Sequence, residues 1–306
     1  IMVTDAEVWL EDDQGNRERL VENYTIPANP DLYRSIPMVF EGYTLLGEIV
    51  KGRMGIAYTL EVTLEDGTLY RSKPDTMPMV SANHTARFEI GVEEELSSGG
   101  ILQQISKAQV FLNSSVPAEP LYLKWGLEHV FSFRQTPIET QGGFIEKFCF
   151  VTEYPNAQSF QLLNNSSGTA REIRDQKLGS KTIDNDFSFT NVFNVIQSSL
   201  SEDAFKYWEQ IEEVVQNTGT IFDAPGGTPV GNFSNVENPN EKVLGFFSAA
   251  VQDTSRIFLS KFDIPSRLRN FRLQCPSNRT RNLSSSCDDC RTIMNSTENK
   301  PSYWPN

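Results

Sequence analysis

Apolar and polar residues alternate along the first part of the chain, in the pattern of β-strands with one buried face. Residues 6–10 place three apolar side chains on one face and Trp9 on the other. Residues 58–64 alternate in the same way, and Asp66-Gly67 follows them with the residue types of a tight hairpin turn. Because several short strands separated by turns are typical of sandwich folds, we predict an immunoglobulin-like β-sandwich over residues 1–80.

A second, larger domain is predicted over residues 81–306. We place the boundary in residues 72–82, which hold two prolines and few large apolar side chains. Beyond it, runs rich in aromatic and β-branched residues predict further strands. These runs are residues 84–92, 108–115, 122–133 and 142–154. The polar segment 164–181 is expected to be a loop, and segment 243–251 is expected to be a buried strand.

One segment is predicted to be a helix, over about residues 200–218. Apolar residues recur there at helical spacing, Ser199 followed by Glu202 fits a capping box, and Gly219 is a natural terminator. The chain is therefore expected to be mainly β, with a β-rich α+β second domain that has one prominent helix. It ends in a cysteine-containing tail, residues 275–306.

The charge of the chain limits its partners. Acidic residues number 40 and basic residues 27, which gives a net charge of -13. An acidic surface repels phosphate groups, so nucleic acid and anionic lipid surfaces are not expected as partners. No apolar run reaches the roughly 18–20 residues needed to span a bilayer. The first residue, Ile1, lies within an expected strand, which is typical of a chain whose start was removed by processing.

The sequence holds few candidates for catalysis. Its two histidines are His84, beside the expected linker, and His129, in an aromatic strand where a structural role is favoured. The motifs H-E-x-x-H, G-x-S-x-G and G-x-G-x-x-G do not occur. The active site of a carboxylate-dependent hydrolase needs two carboxyl groups at a set distance across a cleft, and sequence spacing does not give that distance. We therefore predict no catalytic, cofactor-binding or metal-binding residue, and no enzyme activity.

The four cysteines leave three interpretations open. They are Cys149, in an expected strand, and Cys275, Cys287 and Cys290 in the tail. The C-x-x-C spacing suits a zinc site or redox exchange, but the tail lacks a second C-x-x-C and the helix signal of a thioredoxin-like motif. Structural disulfides are the favoured interpretation, with three complete pairings possible. Disulfides would place the protein outside the reducing cytosol.

The segment around the predicted helix resembles the signature of a known protein family. The matching residues are Leu200, Ser201, Ala204, Phe205, Tyr207, Trp208, Gly219, Phe222, Gly231, Asn232, Leu244, Gly245, Phe246 and Phe247. The tail adds Cys275-Pro276, Cys287, Cys290, Lys300, Pro301, Tyr303 and Trp304. Together they resemble a family of Bacteroidota outer-membrane lipoproteins catalogued as domain of unknown function 4249. Phe205 and Phe246 stand where tyrosine is common in the family.

The resemblance implies a location and a partner. It implies a lipid-anchored protein on the cell-surface face of the outer membrane, although the lipidated cysteine is not present in this sequence. It also implies an outer-membrane β-barrel protein as partner, a TonB-dependent receptor in particular. We expect a non-enzymatic accessory subunit of such a transporter, with a glycan- or peptide-capturing import protein as the alternative and a carboxylate-dependent hydrolase as the second alternative.

Two sets of residues follow from the resemblance as candidate sites. The signature residues Trp208, Gly219, Phe222, Gly231, Asn232, Gly245 and Trp304 are expected to have structural or interface roles. Bacteria of this group O-glycosylate exported proteins at Asp-Ser/Thr followed by an apolar residue. Asp75-Thr76-Met77 matches that pattern in the linker, which we expect to be exposed, so Thr76 is a candidate glycosylation site.

Overall fold

The computed structural model describes residues 6–22, 43–44, 49–96, 99–155, 160–216, 227–277 and 283–305. Among the described residues, strand accounts for 48% and helix for 11%, so the fold is mainly β, as predicted. Within these ranges, no helix has the length and apolar character needed to cross a bilayer.

The strands are β1 (Glu7–Asp12), β2 (Arg17–Glu22), β3 (Tyr43–Thr44), β4 (Ala57–Thr63), β5 (Leu69–Ser72), β6 (Asp75–Thr76), β7 (Asn83–Leu96), β8 (Leu102–Val116), β9 (Leu121–Arg134), β10 (Ile138–Thr140), β11 (Gly143–Ile145), β12 (Phe148–Glu153), β13 (Gln161–Asn165), β14 (Arg171–Thr182), β15 (Asn191–Leu200), β16 (Phe233–Asn235), β17 (Val251–Leu259) and β18 (Ser296–Thr297). The helices are α1 (Glu202–Gln216) and the single turn α2 (Ser285–Asp288). Short 3₁₀ turns lie at Asn185–Ser188, Ser266–Leu268 and Cys290–Thr292.

Seven strands form an antiparallel sheet that contains the N-terminal region. Its order is β16-β5-β4-β1-β2-β3, and β6 pairs with β4. One face buries Leu10 and Tyr58 against Val50 and Ala249. The predicted hairpin turn is present between β4 and β5, where Gly67 has a φ of +88° that glycine adopts without strain. The described strands of this region lie in one sheet, so the immunoglobulin-like arrangement remains a prediction.

One edge strand of this sheet, β16, lies far from the other strands of the sheet in sequence. β16 pairs with β5, so that Phe233 lies opposite Ser72 and Asn235 opposite Tyr70. Residues from both sides of the predicted boundary at residues 80–81 therefore share one sheet. The division into domains 1–80 and 81–306 remains a prediction.

Two further sheets contribute to the largest core. One has the order β17-β15-β9-β12-β18 with β13 also paired to β9, and the other has the order β14-β8-β7. Their apolar side chains meet in one buried cluster, in which Trp125, Phe187 and Phe193 are the largest side chains. Strands predicted in residues 84–92, 108–115, 122–133 and 142–154 correspond to β7, β8, β9 and β11–β12.

The expected loop at residues 164–181 is wrong, because most of it forms β14. This strand lies at the edge of its sheet and presents mostly polar side chains to solvent, while Leu178 is buried. Its pairing with β8 is also interrupted twice, between Ile173 and Gln176 and between Lys177 and Gly179. A polar edge strand with irregular register does not show the alternation by which strands are recognised in a sequence.

The predicted helix is present, but its capping residue is different. Helix α1 begins at Glu202, and the hydroxyl of Ser201 accepts a hydrogen bond from the backbone N–H of Ala204 at 3.1 Å. Ser199 is instead a buried residue of β15, so the predicted capping box is wrong. Ala204 and Phe205 bury the inner face of α1 against the six-stranded sheet. The predicted terminator Gly219 lies outside the described residues.

The strand expected over residues 243–251 is also wrong, since only Val251 belongs to a strand, β17. The preceding residues run without strand pairing beside β6 and the segment around Gly231. Here the backbone partners come from side chains: Asp75 accepts from the N–H of Ala249 at 2.7 Å, and Asn232 bonds Phe247. Apolar composition alone does not distinguish such a segment from a buried strand.

Candidate functional site

Both pairs of cysteines form disulfides, as favoured from the sequence. Cys149 of β12 is bonded to Cys290, and Cys275 is bonded to Cys287. All four side chains are buried. Because each thiol is consumed by a disulfide, the tail in this oxidised form presents neither a zinc-binding thiolate set nor a free C-x-x-C dithiol.

The tail is held against the six-stranded sheet by more than its disulfides. β18 pairs with β12, where Thr297 lies opposite Phe150. The indole of Trp304 meets the ring of Phe150 edge to face, with centroids 4.9 Å apart. Tyr303 lies under the guanidinium of Arg256 at 4.5 Å. These contacts hold the last described part of the tail against the six-stranded sheet, where it forms a wall.

Beside this wall lies a cavity of about 470 Å³, which we call the tail pocket. Five aromatic rings line it: Phe148, Phe150, Phe189, Phe262 and Trp304. Phe148 and Phe150 share one face of β12, because the residue between them, Cys149, points to the opposite face and carries the disulfide. Phe148 is fixed by an edge contact with Phe189, with centroids 5.5 Å apart. Phe262 is 69% exposed, so its ring faces solvent at the rim.

The charged side chains that line the tail pocket are basic, whereas the protein as a whole is acidic. Lys261 and Lys300 line it, and among its described lining residues no side chain is a carboxylate. The remaining polar side chains are hydroxyls, from Ser132, Ser188, Thr190 and Ser260. Two of these hydroxyls already donate within the protein, Ser188 to the carbonyl of Asn185 at 2.6 Å and Ser260 to the carboxylate of Asp263 at 2.8 Å. Toward a ligand, these two oxygens therefore act as hydrogen-bond acceptors.

A buried ionic cluster lies elsewhere in the same sheet, around His129. The imidazole is fully buried among phenylalanine rings, its Nε2 lies 2.7 Å from Oδ1 of Asn191, and its Nδ1 lies 3.5 Å from the carboxylate of Glu153. Lys181 bonds Glu153 at 2.7 Å and reaches Asp186 at 3.1 Å. His129, together with Lys181, lowers the pKa of Glu153 to about 2 against the opposing effect of burial.

This cluster has the geometry of a structural network. Lys181 lies between Glu153 and Asp186 and offsets part of their negative charge, and His129 is enclosed by rings that leave no approach for a substrate. His84 is also buried, with its Nε2 3.2 Å from the carbonyl of Val195 and its Nδ1 3.6 Å from Asp253. The sequence suggested no partner for His84, and the structure supplies two.

A family model described as Domain of unknown function (DUF4249) matches residues 1–256. The chain belongs to this family. No curated protein and no solved structure gives a match. The match ends before the tail, so the tail pocket combines residues inside the matched range, such as Phe150, with residues beyond it, such as Phe262 and Trp304.

One of the signature residues, Trp208, covers a half-buried lysine, Lys124. Its indole lies over Nζ of Lys124 at 3.7 Å and meets the ring of Phe160 edge to face, at a centroid distance of 5.1 Å. Burial lowers the pKa of Lys124. The neighbouring Tyr207 stacks on Phe246, another signature position, at 4.9 Å. These aromatic residues seal α1 onto β9 and β13.

The glycines of the signature mark a close crossing of two backbones. A Cβ placed on Gly231 would lie 1.9 Å from the carbonyl oxygen of Gly245, so residue 231 must be glycine. Gly245 has a φ of +107°, in the left-handed region that favours glycine. Next to the crossing, the side chain of Asn232 donates to the carbonyl of Phe247 and accepts from its N–H, both at 2.8 Å. Gly219 and Phe222 lie outside the described residues.

The linker residue Thr76 lies at the exposed end of β6. It lines a second cavity, of about 380 Å³, with residues from the start of β9 and α1. Its neighbour Asp75 is only 4% exposed, and burial raises the pKa of this carboxyl. The expectation of a fully exposed linker is therefore wrong at Asp75, because that side chain bonds the backbone of Ala249. Glycosylation of Thr76 remains a prediction.

The family resemblance identified Trp304 and Lys300, but sequence reasoning did not predict the tail pocket that they line. Lys261 and Phe262 follow β17 whereas Phe189 precedes β15, and no sequence pattern joins these two segments. One signal was available: phenylalanines flank Cys149 on both sides, which places two rings on the face opposite the bridged thiol.

Proposed function

We propose that this chain is a non-enzymatic, surface-exposed outer-membrane lipoprotein that captures an organic ligand in the tail pocket for import. The observation that carries the proposal is the cavity of about 470 Å³ lined by five aromatic rings and two lysines. Ligand sites are typically concave, of roughly 300–1,000 Å³, with apolar walls and a few polar groups that orient the ligand. Aromatic rings suit such a site because each adds a large, rigid contact surface at a small cost in conformational entropy.

The character of the lining supports binding rather than catalysis. The lysine and hydroxyl groups of the tail pocket are not accompanied by an acid–base pair among the described lining residues. Both histidines are held in structural contacts away from this pocket. The outer-membrane location, the lipid anchor and transfer of the ligand to a TonB-dependent receptor are proposed from the family resemblance.

The proposal is tested by a ligand screen that uses the intrinsic fluorescence of the chain, to which Trp304 contributes as one of four tryptophans. The oxidised full chain is titrated with fractions of small glycans and peptides, beside a Phe262→Ala variant. We expect a saturable fluorescence change, and we expect Phe262→Ala to weaken it because the exposed ring is lost without a change in the core. Leu244→Ala, at an exposed apolar residue that does not line the pocket, is the control. Saturable binding that is unchanged in Phe262→Ala would remove the tail pocket as the site.

A second candidate function, an accessory subunit that docks on a β-barrel, is favoured by the hairpin of β7 and β8. Beyond the core, this hairpin exposes Val92, Leu96, Ile101 and Leu102, and Leu96 lies directly opposite Leu102. β7 is also an outer strand of its sheet. An apolar hairpin end beside an outer strand offers a partner both side-chain contacts and backbone hydrogen bonds.

The docking proposal is tested by affinity purification from native outer membranes. We expect a β-barrel protein to copurify with the wild-type chain and to be lost from a Leu96→Asp/Leu102→Asp variant. Gln103→Asp/Gln104→Asp adds the same charge at neighbouring exposed positions and should retain the partner. Repeated recovery of the wild-type chain alone would refute docking.

A further inference from the structure

We infer that the ligand of the tail pocket is an acidic carbohydrate, in which a sugar ring carries a carboxylate. This inference rests on the proposed function of ligand capture and adds the chemical class of the ligand. Three features of the lining carry it: its positive charge, its exposed aromatic faces and the direction of its hydrogen bonds.

The charge of the tail pocket is opposite to that of the protein. The chain has a net charge of -13, with 40 acidic residues against 27 basic ones. The pocket nevertheless brings together Lys261, which follows β17, and Lys300, which follows β18, and its described lining contains no carboxylate. Two lysines from separate segments thus converge on one cavity. A locally positive cavity on an acidic surface favours an anionic ligand and disfavours a cationic one.

The aromatic faces determine the shape of the ligand. Phe262 and Trp304 come from different segments and line the same cavity, and Phe262 is exposed. Flat rings can contact the C–H faces of a sugar ring as well as those of an aromatic ring. The edge contact between Trp304 and Phe150 fixes the indole, so the contact surface exists before the ligand arrives.

The hydroxyl groups distinguish a sugar from an aromatic acid. Ser188 and Ser260 donate their hydroxyl protons to protein acceptors, and Ser260 also accepts from the backbone N–H of Phe262 at 3.2 Å, so toward a ligand both oxygens can act only as acceptors. Sugar hydroxyls supply such donors, whereas a carboxylate or a phosphate supplies only acceptors at neutral pH. An acidic sugar offers both an anion, which suits a lining whose charged side chains are lysines, and O–H groups, which suit these serine oxygens.

The inference is tested by calorimetric titration of the oxidised full chain with uronic-acid oligosaccharides. Each oligosaccharide is compared with its carboxyl-reduced counterpart, which keeps the linkages and loses the charge, and with benzoate, which keeps the carboxylate and loses the hydroxyls. We expect the acidic sugar to bind about tenfold more tightly than either comparison compound, because charge-assisted hydrogen bonds are about twice as strong as neutral ones. A Lys261→Gln/Lys300→Gln variant should bind the acidic and reduced sugars equally, while Lys242→Gln, at an exposed lysine outside the pocket, should behave as wild type.

The outcomes separate this inference from the proposed function. Equal binding of the acidic and reduced sugars would overturn the acidic character, while capture of a glycan would stand. Equal binding of benzoate and the acidic sugar would overturn the sugar, while an anionic ligand would stand. Failure of all three probes would overturn the inference, and the fluorescence screen with Phe262→Ala would then decide ligand capture on its own.

Discussion

Two distant segments of the chain each add the edge strand of a different sheet, and we call each of these attachments a closure. The two segments are held in place by different interactions. The tail, residues 275–306, reaches the six-stranded sheet and is held by a disulfide from Cys290 to Cys149. The segment from residue 227 to residue 250, which we call the return segment, reaches the N-terminal sheet and is held by backbone pairing of β16, by Asn232 and by the crossing at Gly231. One closure is covalent and the other depends on close packing and side-chain hydrogen bonds.

The difference follows from what each closure has to bury. The return segment contributes Ala249 and Phe247 to the core of the N-terminal sheet, so burial of apolar surface helps to hold it. The tail is rich in serine, asparagine and charged residues, and it adds little to any core beyond its cysteines. A segment with little apolar surface to bury gains its order from a cross-link, which restricts the unfolded chain. The pocket wall at Trp304 therefore depends on covalent chemistry.

The largest expected effect is the loss of the long-range disulfide. A Cys149→Ser/Cys290→Ser variant removes a link across 141 residues. We expect a loss of about 4–5 kcal/mol in unfolding free energy, because the cross-linked loop is long. Cys275→Ser/Cys287→Ser removes a link across 12 residues and should cost less, about 3 kcal/mol.

Denaturant unfolding measures both disulfide variants, and amide hydrogen exchange locates the change. We expect the Cys149/Cys290 variant to lose protection in β18 and in its β12 partner, and to lose ligand binding with the wall at Trp304. Exchange in β1 and β4 should stay as in wild type. Equal losses from the two disulfide variants would contradict this account of the tail.

The second effect concerns the return segment. Gly231→Ala places a Cβ 1.9 Å from the carbonyl oxygen of Gly245, which only backbone movement can relieve. We expect a loss of about 3 kcal/mol, at the upper end of overpacking costs. Hydrogen exchange should speed up in β5 and β16, whose pairing depends on this crossing, and remain slow in β9. Gly227→Ala is the matched control, since its Cβ would meet nothing within 4 Å.

How much of this could be predicted from the sequence differs between the two closures. The disulfide bonds were favoured from tail composition, but their pairing was not, since four cysteines allow three complete pairings. Gly231, Gly245 and Asn232 were identified only through a family resemblance. Their physical reason, a backbone crossing of residues 14 apart, exists only in three dimensions.

The prediction of strands from the sequence was limited in the same way. β1 and β4 were predicted because one of their faces is buried and the other is exposed, which produces alternation. β15 is buried on both faces and includes the polar residues Asn191, Asn194 and Gln197, so it shows no alternation. The amide N–H groups of these three side chains donate to partners from other strands and loops, and Gln197 also accepts from the indole of Trp125 at 2.9 Å. The tail pocket was not predicted for a related reason, since it joins five separate segments.

The third effect concerns Glu153, in the six-stranded sheet, and depends on pH. The pKa of Glu153 is about 2 in the folded protein, below its ordinary value of 4.5. A lowered carboxyl pKa stabilises the fold above the ordinary value, and this stabilisation is lost as the pH falls from about 4.5 to about 2. We expect Glu153→Gln to be less stable than wild type at neutral pH and to approach wild type near pH 2. Glu65→Gln, at an exposed carboxylate, controls for the loss of one charge. A stability difference that stays constant across this range would contradict the network.

The smallest effect concerns Lys124, the lysine beneath Trp208. Burial lowers its pKa, which means that the folded protein disfavours its charged form. A Lys124→Met variant keeps the length of the side chain and removes the charge, so it should leave stability unchanged or raise it by about 1 kcal/mol at neutral pH. The stabilisation should shrink at high pH, where wild-type Lys124 becomes neutral. If Lys124→Met instead lost more than about 1 kcal/mol, the contact of the ammonium with Trp208 at 3.7 Å would be the larger effect, since a desolvated cation–π contact contributes about 2 kcal/mol. The aromatic seal of α1 would then depend on the charge it covers, as the tail depends on its disulfide.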